Sequence, residues 1–128
     1  MCLMMTESNV EEKQPANSVV AKSHRALSVV NYECGFHFYT ALGNSTGITA
    51  TSLEDLAQKM RTISLDSIKF HFDRGDFQRW IRYIFCDSEL AENIGLIKQK
   101  FSGENLRKEI INKIETRLIQ LRAIATVQ

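Results

Sequence analysis

From residue 51 onward the apolar positions recur at helical spacing, and ahead of that one short run alternates. In "FHFYT", Phe36, Phe38 and Thr40 share one face at period two, with His37 and Tyr39 on the other. That alternation predicts a half-buried strand. The run "GNSTG" at 43–47 is rich in turn formers, and "ITAT" can return antiparallel. A β-hairpin is expected, closed by a loop of about four or five residues rather than a tight two-residue turn.

The helical part divides at its polar punctuation. Thr51 with Glu54 fits a capping box, whose two side chains satisfy orphan backbone donors. Leu53, Leu56, Ala57 and Met60 then share a face, running to about Ile63. Ser64 suits the N-cap of a second helix in which Leu65, Ile68 and Phe72 align. Gly75 is placed to end it, because glycine accepts the left-handed conformation, and Asp76 to cap a third. There Phe77, Trp80, Ile81, Ile84 and Phe85 make the clearest amphipathic stripe in the chain. Asp87 can cap a fourth helix carrying Leu90, Ala91, Ile94 and Ile97. Ser102 opens a last helix to about Ala125, with a broad band of Leu106, Ile110, Ile111, Ile114, Leu118 and Leu121. The fold class is α+β, an N-terminal β-hairpin followed by four or five helices, mainly helical.

Ahead of the hairpin, residues 6–31 hold no aromatic side chain and are rich in Ser, Asn, Glu and Lys. A segment so poor in bulky groups does not repay the entropy of ordering. The expected organisation is a mobile leader at 1–31, a hairpin plus helical core domain at 32–101, and a C-terminal amphipathic helix at 102–128. Met1, Met4 and Met5 each stand as a possible start.

A family pattern emerges between Cys34 and about Ile94. It combines the aromatic strand of Phe36 and Phe38 with Ser52-Leu53, Ser67-Ile68-Lys69-Phe70-His71, Asp76-Phe77 with Trp80-Ile81, and Asp87 through Leu90-Ala91 to Ile94. This resembles small archaeal and bacterial domains of unknown function. The resemblance implies a shared fold and carries no catalytic residues with it. Cys86 departs from the glycine often seen before that aspartate, which bears on the link between the third and fourth helices.

Composition narrows the functional classes. Apolar residues make up 44% of the chain and the net charge is +1, an ordinary globular balance. The most basic part, 102–128, holds five basic against three acidic residues, a surplus of +2. That is far from the footprint of a phosphate-backbone binder, so nucleic acid is not an expected partner. No apolar run approaches the roughly 18–20 residues of a membrane span. Cys2, Cys34 and Cys86 are odd in number and widely spaced, so the reading is three reduced thiols, with Cys34 and Cys86 partly buried, in a cytoplasmic protein.

Candidate chemistry concentrates in "KFHFDRGDFQRWIRYIF", residues 69–85. Arg74-Gly75-Asp76 reads as helix stop and helix start rather than an adhesion tripeptide. His71 falls beside the apolar face of its helix, where a structural histidine hydrogen-bonded near Asp76 is the plain reading. Three metal ligands from one rigid frame are missing, so no metal and no cofactor is expected. No nucleophile motif or phosphate loop is present, and no catalytic residue is assigned.

Two functions follow, from different classes. The first is a non-catalytic interaction or regulatory module that meets a protein partner or a second copy through Ile111, Ile114, Leu118 and Leu121 of the last helix. The alternative is a small anionic-ligand-binding or enzyme-accessory domain using His71, Arg74, Arg79 and Arg82. Weak nucleic-acid binding by Lys69, Arg74, Arg79 and Arg82, with Phe70 and Tyr83 interleaved, comes third.

Overall fold

Short polar side chains start the helices, and apolar stripes decide what each one packs against. In the computed structural model, which describes residues 18–97 and 100–126, α1 (Ser18–Ala26) leads through a 3-10 turn at Tyr32–Cys34 into the hairpin β1 (Phe36–Ala41) and β2 (Asn44–Ala50). Then come α2 (Leu53–Met60), α3 (Leu65–Arg74), α4 (Asp76–Phe85), α5 (Ser88–Gly95) and the long α6 (Gly103–Ala125). The α+β class with a hairpin ahead of a helical body is the observed architecture. None of the described helices is long and apolar enough to cross a membrane.

The strands pair antiparallel, Phe36 opposite Ala50 and His37 opposite Thr49, with register irregularities toward the tip. The turn is tighter than expected. Only Leu42 and Gly43 separate the strands, and Gly43 takes φ 75° at the second central position of the turn, where a type II turn favours glycine. The polar stretch after it joins β2 instead of looping out. Asn44 Nδ2–H donates to Thr40 Oγ1 at 2.6 Å and the Thr46 hydroxyl to the Phe38 carbonyl at 2.8 Å. At the base of β1, a Cβ on Gly35 would stand 2.8 Å from the Ala50 carbonyl oxygen, so this close approach requires glycine.

Capping follows sequence closely, with two shifts. Ser52, not Thr51, caps α2, its Oγ accepting from Asp55 N–H at 2.9 Å while Asp55 accepts from Thr51 N–H. Ser64 caps α3 and Gly75 ends it at φ 74°. Asp76 forms no cap, since Gly75 holds the N-cap position of α4 without a side-chain bond. At the other end of α4, Cys86 takes the left-handed conformation itself, at φ 58°. Cys34 is partly buried as expected but disulfide-bonded rather than reduced, and Cys86 is free but exposed rather than partly buried.

One core joins all these elements. Phe38 from β1, Leu56 and Met60 from α2, Ile68 from α3, and Phe77, Ile81 and Phe85 from α4 meet Ile110 and Ile114 of α6. Each such side chain contributes roughly 1.5–3 kcal/mol on full burial. The chain ahead of the hairpin takes part as well. Residues 18–26, read from sequence as leader, form α1 along α6, with Ser23 and Ala26 buried and Val30 N–H donating to the Thr51 carbonyl at 2.9 Å. Small side chains allow that close helix contact, which a search for bulky stripes overlooks. Residues 1–17 of the expected leader lie outside the described residues.

Candidate functional site: a cleft between the hairpin and the α3–α4 corner

His71 occupies the last turn of α3, and its position follows from the stripe that buries Ile68 one turn earlier. The residue is 4% exposed, packed among Phe36, Phe70 and Phe77. Both ring nitrogens are engaged. Tyr39 N–H of β1 donates to Nε2 at 2.8 Å, and Nδ1 lies 2.8 Å from Asp76 Oδ2. A nitrogen that accepts carries no proton, so the ring is neutral with its hydrogen on Nδ1, donated to Asp76. Burial pushes the imidazole below its ordinary 6.5, against the pull of Asp76 and with the help of Arg74.

Asp76 is the hub. Besides His71 it accepts from Arg74 Nε at 3.0 Å and from Arg79. Burial alone would raise its carboxyl, but the hydrogen bonds from His71 and Arg74, and the charge of Arg74, hold it below its ordinary 3.8. The Arg74 guanidinium also lies over the Phe70 ring, 5.1 Å from its centre. Trp80 of α4 donates Nε1–H to the Cys34 carbonyl at 2.8 Å, which fixes the corner to the start of β1.

These ties frame an open cavity of about 460 Å³ between β1 and the α3–α4 corner. Phe36, Tyr39, Phe70 and Trp80 give it aromatic walls, Leu42 and Gly43 of the hairpin turn reach its rim, and Arg74 and Asp76 supply its charged groups. His37, Ala41 and His71 line it as well. His37 Nδ1 lies 2.8 Å from Thr49 Oγ1.

Of the four ligand-binding candidates, the structure gathers His71, Arg74 and Arg79 on one carboxylate. Arg74 and His71 line the cavity; Arg79 reaches Asp76 without lining it, and Arg82 takes no part in either. His71 keeps no ring nitrogen for a ligand or for proton transfer, because β1 and Asp76 use both. Sequence reading sets Phe70 beside a basic patch and assigns no site role to Tyr39, whose place beside the helix corner depends on how the hairpin docks. Asp76 was legible as a neighbour of His71, although its role as hub replaces the expected role as cap.

The interaction-helix candidates stand differently. Ile111, Ile114, Leu118 and Leu121 are buried in the chain's own core, against an expectation that they face a partner or second copy. The helices α1, α2, α3 and α5 pack against α6 and cover its apolar band. Among the described residues no group of three or more His, Cys, Asp or Glu side chains is placed to hold a metal ion.

Fold and site together define a small α+β domain in which a two-stranded hairpin and a helical corner enclose an aromatic cleft. Residues 33–128 match the model of the family of unknown function DUF5752, and the chain belongs to that family. The matched span includes α6, so the family domain reaches well past Ile94 and takes in the C-terminal helix. No curated protein and no solved structure matches the chain.

Proposed function

We propose that this chain is a small-ligand-binding module and that the cleft between β1 and the α3–α4 corner is its binding site. The observation that carries this is the convergence of four aromatic side chains and one guanidinium on an open cavity of about 460 Å³. Small-molecule sites have this size and this make-up, mostly apolar walls with few, well-placed polar groups. Phe36, Tyr39, Phe70 and Trp80 offer a flat body its contacts, and Arg74 offers its polar end a donor. His71 and Arg79 act behind them by holding Asp76, which in turn orients Arg74. An interaction module working through α6 has less support, because the apolar face it needs is already covered.

Indole is a suitable first probe. Titrated into the 15N-labelled chain, it is expected to shift the Trp80 Nε1–H and Tyr39 N–H resonances saturably. The chain has a single tryptophan, so the side-chain signal is unambiguous. Phe70→Ala should weaken that binding severalfold while the remaining spectrum stays dispersed. Saturable shifts that bypass these two reporters, or no shifts at all, would sink the reading.

A further inference from the structure

We infer that the cleft selects a planar aromatic monocarboxylate, with Arg74 as the group that recognises its carboxylate. This rests on the cleft being the binding site and adds the chemical class of its occupant. The charges around the hub do not cancel. Arg74 and Arg79 bring two positive charges, Asp76 brings one negative, and His71 is neutral because Nε2 accepts Tyr39 N–H. One positive charge is left over, which matches a monoanion.

The geometry of Arg74 narrows the anion further. Its Nε is committed to Asp76 and its plane lies over Phe70, which together hold the guanidinium in place. Its two terminal amino groups have no hydrogen-bond partner among the described residues, and the side chain is 46% exposed. A guanidinium presented in this way suits a planar carboxylate, which can take two parallel N–H donors. A phosphate dianion fits less well. Its second charge would be left uncompensated beside the fixed carboxylate of Asp76, which also lines the cavity. The aromatic body follows from Phe36, Tyr39, Phe70 and Trp80, whose rings favour stacked or edge contacts with another ring.

The test compares indole-3-carboxylate with its neutral carboxamide, and benzoate with phenyl phosphate, on the full chain at neutral pH and low salt, using the Trp80 Nε1–H signal. The carboxylate should bind about tenfold more tightly than the carboxamide, as a charge-assisted pair predicts. Benzoate should bind more tightly than phenyl phosphate. Arg74→Gln should erase the preference for carboxylate over carboxamide while indole itself still shifts the cleft reporters, and Arg82→Gln should leave the preference in place. Equal affinities for carboxylate and carboxamide, with indole still binding, would overturn the assignment and leave the cleft standing. Tighter phenyl phosphate would overturn the monoanion class. If indole fails as well, the binding reading falls and this inference falls with it.

Discussion

Asp76 stands in the first turn of α4 against the hairpin, and Asp87 immediately ahead of α5 against α6. Asp87 does what a residue in that place is expected to do. Its Oδ1 accepts Leu90 N–H at 3.2 Å, and Arg117 grips both of its oxygens, Nε to Oδ2 at 2.9 Å and Nη2 to Oδ1 at 3.1 Å. The Asp87 side chain is 2% exposed and Arg117 is 17% exposed, so the pair is a largely buried clamp that joins α5 to α6. Asp87 also holds the Arg117 guanidinium more firmly protonated than usual, against the opposing effect of burial. Asp76 caps nothing, and its side chain is 18% exposed. Of its three donors, two are arginines half in water and one is a buried neutral imidazole. The same residue type at two helix starts thus makes a largely buried structural bond in one place and an open, charged wall in the other. The neighbours that reach each carboxylate decide which.

The largest expected effect breaks the buried pair of Asp87 and Arg117. Asp87→Ala removes a helix cap and leaves Arg117 without its bidentate partner, which should cost about 3 kcal/mol in urea-induced unfolding. A smaller loss is expected from Asp76→Ala, about 1–2 kcal/mol, because Arg74 and Arg79 can turn to water and only the His71 Nδ1–H stays buried and unpaired. Equal losses at the two positions would mean that Asp76 is a clamp of the same kind, and the contrast would be gone.

The smallest effect concerns pH. His71 is held below its ordinary value in the folded chain, so the unfolded chain takes up the proton first. The stability this contributes is complete above pH 6.5 and is lost as the pH falls through 6.5 toward the lower folded value. Asp76, also held low, adds a second loss as the pH drops through 3.8. Protonation of Nε2 would point a second N–H at Tyr39 N–H, so the hairpin should loosen from α3 over the first window. His71→Gln, whose amide oxygen can accept from Tyr39 N–H, should flatten the urea midpoint against pH there and leave the lower window in place. An unchanged slope in that variant would remove His71 as its source.

Much of this was legible in the residues, since the relevant forces act between neighbours in sequence. The stripe of Phe77, Ile81 and Phe85, the caps at Ser64 and Asp87, and the stop at Gly75 each depend on spacing and backbone preference within a turn or two. The proximity of His71, Arg74 and Arg79 was legible for the same reason, as all three flank one helix corner. The hairpin turn was not, because Asn44, Ser45 and Thr46 read as loop formers until their side chains find partners on β1 and the Ser45 hydroxyl accepts Gly47 N–H. Nor was the neutral state of His71, which hangs on a backbone N–H 32 positions away.

By itself, then, the sequence determined the α+β class, most helix starts and ends, and the apolar faces. Only the tertiary structure decided which surface each face would meet. It gave the band on α6 to the chain's own α1, α2, α3 and α5. It turned Asp76 from a cap into a hub, and brought Tyr39 of β1 and Phe70 of α3 to one cleft. Local periodicity records that a face is apolar and cannot record what covers it, because burial is a property of two surfaces brought together from distant parts of the chain.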